Sequence, residues 1–392
     1  MSPHDPSPAA TPGPAAGAHR PASGLVTGVA AATVLLATAA ALLWLALQRP
    51  RARAAPRPAT VQAEATLVRD VLTGRASRGD GTPVAPESGP GSAAQPLRLR
   101  FVPSSDTAQS GPAIDALLAF LRQRTGYAIE GAILRSYALV VEEIAQGRCD
   151  IAFLTATSYE RAWRLTRGEP AEDDITVILS VVRQGRSEHP GSDLAYRGAI
   201  VVRKDSPLAS LAQLDGTRSI ALGGPTSGAG SILPSEMLNG MGLKPRISRY
   251  EGYNAILTAV VQGAVDAGAI WWSPPNADNP QNDARINARE LYPDIFETTR
   301  ILGFTAWIPN EPVVARAALP AGVRHVMARA LALYVAGKAV TEEGRRSLES
   351  IGSLIGLIPA QDDDFLPLHE VVERAFANDP EGREDFLAGK GR

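Results

Sequence analysis

The sequence predicts an α/β fold made of two similar units, and three observations carry that prediction. Short apolar segments alternate with segments of helical periodicity from about position 96 onward. The order β-α-β-α-β occurs first over 97–154 and again over 218–270. The segments after the second unit have mainly helical periodicity. Two units of similar size predict two lobes with a cleft between them.

The first unit starts with a strand at 97–101, in which apolar residues alternate with arginines. We expect the next helix to begin at Pro112 and to end at Gly126, because proline suits a first helical turn and glycine suits a helix end. Ser136 is a suitable N-cap for a second helix. A short apolar strand at 150–154 completes this unit.

The second unit repeats the same order. A strand at 218–222 leads into a glycine-rich loop at 223–230, and a helix at 231–241 follows. After one more strand and helix, the strand at 265–270 ends the unit. The acidic run Asp362–Asp364 suits the solvated start of a late helix, where negative charge favours the helix dipole. Late helices are predicted at 322–336, 341–351 and 365–376.

The composition excludes several classes of function. Lysine and arginine total 39 against 41 for aspartate and glutamate, so the net charge of −2 lacks the basic excess of a nucleic-acid-binding protein. Cys149 is the only cysteine, which excludes an intramolecular disulfide and a cysteine-based zinc site. The five histidines have no metal-ligand spacing, and no catalytic triad or dyad can be assembled. We therefore expect no metal, no cofactor and no enzymatic activity.

Three segments precede the predicted body. Residues 1–24 are rich in Pro, Ala, Gly and Ser and predict a disordered tail, and residues 48–95 have the composition of a linker. Between them, residues 25–47 form a run of 23 residues without a charge. As a helix this run would span about 35 Å, enough to cross a bilayer core of about 30 Å. We expect a single transmembrane anchor.

The anchor leaves two alternatives open. Residues 52–54 (Ala-Arg-Ala) resemble a signal-peptidase site, so a cleaved signal peptide is the rival interpretation. Arg51, Arg53 and Arg57 follow the apolar run whereas only Arg20 precedes it. By the positive-inside rule, this bias would place the body in the cytoplasm.

The glycine-rich loop is the first candidate binding site. It lies between a strand and a helix, where free N–H groups and the helix dipole favour an anion. The hydroxyl groups of Thr226, Ser227 and Ser231 add donors. No lysine follows the last glycine, which excludes a P-loop. The alternative is a plain strand-to-helix turn.

Aromatic residues form the second group of candidates. Trp271 and Trp272 follow a strand at the edge where α/β sheets bind ligands, so they predict either an aromatic wall or a packing patch. Tyr137, Tyr196 and Tyr253 lie at predicted element ends, where both core packing and ligand contact are common.

Residues 96–378 resemble the phosphate/phosphite/phosphonate substrate-binding proteins of ABC transporters, the PhnD-like family. The matching stretches keep the order and spacing of that family. They are Phe101–Ser104, Tyr137–Leu154 running on to Ser158-Tyr159, Tyr196–Ser206, Leu211–Gly216, Gly224–Pro234, Tyr250–Ala269 and Ile308–Leu319.

The resemblance implies a bilobed type II periplasmic-binding-protein fold, with two α/β lobes joined by a two-strand hinge. It places the hinge near 203–206 and 303–307. Lobe 1 would then comprise 96–203 plus 304–378, lobe 2 would comprise 204–303, and 379–392 would be a C-terminal tail.

The resemblance also implies a set of ligand-binding residues. Ser227 matches the first serine of the family's Ser-Thr-Ser motif, Gly228 and Ala229 replace the next two hydroxyl residues, and Tyr253 stands where the family has a histidine. Tyr137 fits a ligand-contacting tyrosine, and Glu311 is a weaker match. The full expected set is Ser104, Ser105, Tyr137, Thr157, Ser158, Tyr196, Thr226, Ser227, Gly228, Ala229, Gly230, Ser231, Tyr253, Trp271 and Glu311.

The function implied is capture of a small oxyanion by lobe closure, for delivery to an ABC permease. A binding protein of this class works outside the cytoplasmic membrane, so the resemblance places the body there, against the arginine bias. The alternative is a ligand-sensing or scaffold module of the same fold that signals to a partner.

Overall fold

The computed structural model describes residues 86–102, 107–167, 174–183, 194–275, 280–339, 341–352, 356–377 and 379–389. All of them belong to one compact unit, residues 51–392. The expected anchor at 25–47 and the expected tail at 1–24 lie outside these ranges. Within them, no helix combines the length and the apolar character needed to cross a bilayer.

Eleven named strands form two sheets. The strands are β1 (Leu97–Phe101), β2 (Ile129–Ile133), β3 (Ile151–Phe153), β4 (Ile175–Val182), β5 (Ala195–Arg203), β6 (Ser219–Leu222), β7 (Arg246–Arg249), β8 (Ala267–Trp272), β9 (Thr299–Pro309), β10 (Pro312–Arg316) and β11 (Gly356–Pro359). The first sheet has the order β11-β4-β10-β3-β1-β2 and the second β7-β6-β8-β5-β9. The expected two-lobed α/β fold is therefore confirmed.

The helices lie between these strands and at the C-terminal end. They are α1 (Thr107–Thr125), α2 (Tyr137–Ala145), α3 (Ala156–Thr166), α4 (Leu233–Gly240), α5 (Tyr253–Val261), α6 (Arg285–Ala288), α7 (Ile295–Thr298), α8 (Ala321–Ala339), α9 (Glu342–Gly352), α10 (Leu366–Phe376) and α11 (Pro380–Ala388). Pro112, expected to open its helix, lies inside α1, so the helix extends five residues further toward the N-terminus.

Each sheet combines a parallel part with antiparallel strands. Strands β2, β1 and β3 are parallel neighbours in the first sheet, and β7, β6 and β8 are parallel neighbours in the second. These are the strands of the two predicted β-α-β-α-β units. Strand β10 pairs antiparallel with β3, and β5 pairs antiparallel with β8. Neither of these added strands belongs to the β-α-β-α-β unit that it joins.

The chain changes sheets at positions that differ from the expected hinge. Strands β5 and β9 belong entirely to the second sheet and pair from Ala195↔Pro309 to Arg203↔Thr299. A lobe boundary at 203/204 or 303/304 is therefore wrong, because it would separate strands that share one continuous ladder. The crossings instead lie between β4 and β5 and between β9 and β10.

The end of β4 and the residue before β5 are both hydrogen-bonded to the segment between β9 and β10. The Val181 N–H donates to the Glu311 carbonyl oxygen at 2.9 Å, and the Asn310 N–H donates to the Leu194 carbonyl oxygen at 2.9 Å. The Asn310 side-chain amide, which is buried, donates to the Val181 carbonyl oxygen at 3.1 Å. Asn310 thus ties both chain segments together where the lobes join.

The ends of the expected body also differ from expectation. The Ala128 N–H donates to the carbonyl oxygen of Gly91 at 2.8 Å, so the expected linker at 48–95 ends before position 91. The expected C-terminal tail contains α11, whose Phe386 is 1% exposed. Arg161 of α3 also donates to the Leu387 carbonyl oxygen at 2.9 Å.

The acidic run before α10 starts a helical turn as expected, but Asp362 is not merely a solvated charge. Its carboxylate accepts hydrogen bonds from the Tyr159 hydroxyl at 2.7 Å, the Thr176 hydroxyl at 2.9 Å and the Val177 N–H at 3.1 Å. Tertiary contacts therefore fix this turn to α3 and β4.

One apolar core continues from the first lobe into the second. On one face of the first sheet, buried residues of α2, α3 and α10 pack together, including Val140, Ala162 and Leu368. The same cluster contains Ile232 and Leu233, which lie at the start of α4 in the second lobe. The lobes are in contact in this structure.

Candidate functional site

The glycine-rich segment forms a tight turn of π-helical type, Gly228–Ile232, directly before α4. The Ser227 hydroxyl caps this turn by accepting from the Gly230 N–H at 3.1 Å, and the Ser231 and Ile232 N–H groups donate to the Ser227 carbonyl oxygen. Gly228 and Ala229 are buried, yet their N–H groups meet no acceptor within the described part of the chain. Buried amides without an acceptor are rare, so this pair is a candidate anion contact.

Two tyrosines converge on the same turn. The hydroxyl oxygens of Ser227 and Tyr253 share a hydrogen bond at 3.3 Å. The Tyr196 hydroxyl oxygen lies 3.8 Å from the position that a Cβ atom would take on Gly228. Burial raises the pKa of both phenols, so they remain protonated hydrogen-bond donors at neutral pH.

The first lobe reaches this turn through Thr157 on α3. Its hydroxyl donates to the Thr226 carbonyl oxygen at 3.0 Å, and its methyl group lies 3.0 Å from the Cβ position of Gly228. The Ser158 hydroxyl lies at the start of α3, where it accepts a hydrogen bond from the Thr155 hydroxyl at 2.8 Å. The Thr157 side chain thus links α3 of the first lobe to the turn of the second lobe.

Two expected hydroxyl donors are placed differently from the prediction. The Thr226 side chain is exposed, and the residue joins the lobe contact through its carbonyl oxygen. The Ser231 hydroxyl is buried and accepts from the Arg249 guanidinium at 2.8 Å. Of the loop hydroxyl groups, only that of Ser227 lies beside the buried amides. Ser104 and Ser105 fall outside the described residues.

An ion pair lies where the lobes join. Arg183 and Glu311 pair through both carboxylate oxygens, with Nε to Oε2 at 3.0 Å. The pKa of Tyr137 is raised to about 12, because burial raises it most, the Glu311 charge adds to this effect and the Arg183 charge opposes both. The same two charges act on Tyr196, so the ion pair and both phenols face one region.

Arg183 is the residue of this region that sequence reasoning missed. It directly follows β4, and the end of a strand is where α/β sheets commonly hold ligands. That signal was available, but a lone arginine before a polar loop is also common on a solvated surface. Burial is the largest single influence and lowers the pKa of Arg183, but Glu311, Tyr196 and Tyr137 together raise it above its usual value, so the guanidinium remains charged.

The two tryptophans separate because successive strand residues point to opposite faces. Trp271 is half-buried and contacts the core cluster that holds Ala229 and Ile232. Trp272 packs instead against Phe304, with ring centroids 4.7 Å apart. Trp271 thus lies beside the turn, and both tryptophans also contact the second-lobe core cluster that holds Ile256.

A profile of the family described as "ABC transporter, phosphonate, periplasmic substrate-binding protein" matches residues 99–365. No curated protein matches the chain.

Solved structures share the fold at low sequence identity. XAC2383 from Xanthomonas citri bound to chloride ion has a TM-score of 0.55 at 20% identity, covering 72% of this chain and 98% of that one. The same protein bound to ATP gives 0.54 at 21% identity with the same coverage. PhnD1 from Prochlorococcus marinus in complex with methylphosphonate gives 0.49 at 15% identity, covering 72% and 98%.

Proposed function

Because the chain belongs to the phosphonate family of ABC-transporter periplasmic substrate-binding proteins, we propose that it captures a small oxyanion between its two lobes. Members of this family bind substrates for transport and are not enzymes. The ligand of this chain would be a small molecule with a negatively charged oxygen-rich end, such as a phosphate, phosphite, phosphonate or sulfonate.

The observation that carries the proposal is the pair of buried, acceptor-free amides at Gly228 and Ala229. Ser227, Tyr196 and Tyr253 surround them with hydroxyl donors. An anion that accepts from these groups would satisfy them and gain from the dipole of the helical turn behind them.

The ion pair between Arg183 and Glu311 would determine which ligand charge the site binds best. Glu311 binds the Nε and Nη2 edge of the Arg183 guanidinium with both carboxylate oxygens, so the region beside Tyr137 carries little net charge. An anion can compete for Arg183, whereas Glu311 repels a second negative charge. A singly charged ligand, or one that also carries an amine for Glu311, is therefore favoured over a doubly charged one.

The cellular arrangement is part of the same proposal. The body lies outside the cytoplasmic membrane, the run at 25–47 tethers it there, and an ABC permease receives the ligand. Support comes from the family and from the uncharged length of that run. A protease-accessibility experiment on spheroplasts tests this arrangement, and protection of the body from protease would overturn it.

Calorimetry on the full chain tests ligand capture, with phosphate, phosphite, methylphosphonate and methanesulfonate as probes. We expect one of them to bind, and Ser227→Ala to weaken binding about tenfold because one hydroxyl donor to a charged group is lost. Ser248→Ala is the matched control, because Ser248 is an exposed residue of β7 in the same lobe. Wild-type affinity in Ser227→Ala would contradict the site.

Arg183→Gln and Glu311→Gln test the role of the ion pair in the same titrations. We expect Arg183→Gln to weaken binding of every anionic probe, and Glu311→Gln to strengthen binding of phosphate relative to methanesulfonate. Wild-type affinities in Arg183→Gln, together with an unchanged ratio between the two probes in Glu311→Gln, would show that the ion pair is purely structural.

A further inference from the structure

Arg249 contacts both ends of the glycine-rich loop that carries the candidate anion contacts. Its Nη1 atom donates to the Gly223 carbonyl oxygen at 3.0 Å and to the Ser231 hydroxyl oxygen at 2.8 Å. Gly223 is the first residue after β6, and Ser231 lies inside the tight turn before α4. One guanidinium nitrogen therefore connects the start of the loop to its end.

The second sheet brings Arg249 to this position. Arg249 is the last residue of β7, the edge strand, and it is in parallel register with Leu222, the last residue of β6. The Tyr250 N–H donates to the Leu222 carbonyl oxygen at 2.9 Å, so the pairing continues up to the start of the loop. Because the two strands end at the same edge of the sheet, the Arg249 side chain reaches the loop that leaves β6.

The loop requires fixed ends because glycine is frequent in it. Four of the nine residues from 223 to 231 are glycines. Glycine loses more conformational freedom on ordering than any other residue. The Gly223 N–H donates to the Gly230 carbonyl oxygen at 2.8 Å, and Arg249 adds two bonds near the same ends. The two buried amides without an acceptor thus lie in a segment that is fixed on both sides.

The guanidinium of Arg249 acts on the loop through directed hydrogen bonds. The residue is exposed, and within the ranges that the structure describes it forms no ion pair with a carboxylate. Water screens an exposed charge, so its attraction for an anion is weak. The two hydrogen bonds, in contrast, join it to fixed atoms of the loop.

We propose that Arg249 is a positioning residue of the oxyanion site, which acts through the loop and does not touch the ligand. By binding Gly223 and Ser231, it holds the loop in its anion-binding shape before a ligand arrives. This role rests on the proposed function, because it concerns the same site. Arg249 and the loop both belong to the second lobe, so the loop keeps its shape when the lobes separate. A preorganised loop loses less conformational entropy when the ligand binds.

Hydrogen–deuterium exchange of the ligand-free full chain tests the hold on the loop. The N–H groups of Gly230, Ser231 and Ile232 donate to Ser227, so their exchange reports whether the turn is formed. We expect Arg249→Met to speed this exchange about fivefold, because the loop loses two hydrogen bonds. Arg249→Lys should restore slow exchange, since one nitrogen makes both bonds and an ammonium group has three donors. Equal exchange in the wild type and Arg249→Met would overturn the proposal.

Calorimetry with the same four oxyanion probes tests the consequence for binding. We expect Arg249→Met to weaken binding about fivefold and Arg249→Lys to retain most of the affinity. Arg246→Met is the matched control, because Arg246 is exposed on the same strand and its side chain has no hydrogen-bond partner among the described residues. This control removes the same charge and should bind like the wild type. Equal weakening in both methionine variants would show an effect of charge alone and would refute the positioning role.

The exchange measurement needs no ligand, so it separates this proposal from the proposed function. If no probe binds the wild type, the proposed function fails, and exchange alone still decides whether Arg249 holds the loop. Thermal melting separates a local effect from a global one. Faster exchange confined to 223–232 with a nearly unchanged melting temperature supports the proposal. Faster exchange throughout both lobes with a lower melting temperature would assign Arg249 to general stability and contradict it.

Discussion

At the residue scale, the turn before α4 depends on the absence of a side chain at Gly230. A Cβ atom there would lie 2.8 Å from the Ser227 hydroxyl oxygen and 3.3 Å from the Tyr253 ring. Those two groups share the hydrogen bond that joins the cap of the turn to Tyr253. A glycine is therefore required by close approach rather than by an unusual backbone angle.

We predict that Gly230→Ala lowers the free energy of unfolding by about 1–3 kcal/mol, because the added methyl group displaces Ser227 and Tyr253. Urea denaturation measures this change. Gly224→Ala is the matched control in the same loop, since nothing lies within 4 Å of the Cβ position there. If both variants are equally stable, the turn is less tightly packed than the distances indicate.

The candidate site shows how far single residues can be interpreted from sequence. Ser227 lies where the loop pattern predicted a donor, but Ser231 is turned away to Arg249. Periodicity does not reveal which partner a buried hydroxyl finds, because Arg249 follows eighteen positions after Ser231 and meets it only through the sheet. Arg183 was missed for the same reason, since its partner Glu311 is distant in the chain.

At the element scale, α2 positions Tyr137 at its first residue and is fixed to β1 by Glu143. That carboxylate pairs with Arg100 of β1 at 3.0 Å and with Arg148 at 2.8 Å. The hydrogen bond from Arg148 lowers the pKa of Glu143, Arg100 adds to this effect and burial opposes it. The lowered pKa stabilises the fold above the pKa of the unfolded carboxyl, and that contribution is lost as pH falls through the folded value.

We therefore predict that Glu143→Gln lowers stability near neutral pH by up to about 1 kcal/mol and flattens the loss of stability below about pH 4.5. Melting temperatures measured from neutral to acidic pH test this. Glu142→Gln is the control, because Glu142 is the exposed neighbour on the same helix. If the melting temperatures of the wild type and of Glu143→Gln fall equally steeply as the pH is lowered, the ion-pair assignment is contradicted.

Helix α10 is the element that spans the two lobes. On one side Arg164 and His369 link it to α3, and on the other Arg374 pairs with Glu236 of α4 at 2.8 Å. Sequence periodicity predicted this helix, but not that both lobes share it. Periodicity predicts which face of a helix is buried, but it does not predict which neighbouring element covers that face.

At the scale of the whole molecule, the lobes meet beside the site through a shared apolar core and a hydrogen bond. Thr157 of α3 supplies the hydrogen bond to Thr226, beside the buried amides. In the proposed function, ligand binding shifts a population toward the closed arrangement, because only that form contacts the ligand from both lobes. Weakening this bond should favour the open form.

We predict that Thr157→Val increases the radius of gyration of the ligand-free protein, measured by small-angle X-ray scattering. Loss of about 1 kcal/mol shifts the ratio of closed to open molecules about fivefold. Saturating oxyanion ligand should restore the compact form. Thr258→Val on α5 is the control, and identical scattering curves for all three proteins would contradict the role assigned to Thr157.

The sequence by itself determined the alternation of strands and helices, the two α/β units, the glycine-rich turn and the likeness to the binding-protein family. These features depend on local periodicity, on backbone preferences and on short motifs, which neighbouring residues carry. Only the tertiary structure decided where the lobes join, because β5 and β9 pair over about a hundred intervening positions. It also decided that Arg183 pairs with Glu311 and that Arg249 binds Gly223 and Ser231, since such contacts depend on packing between distant segments.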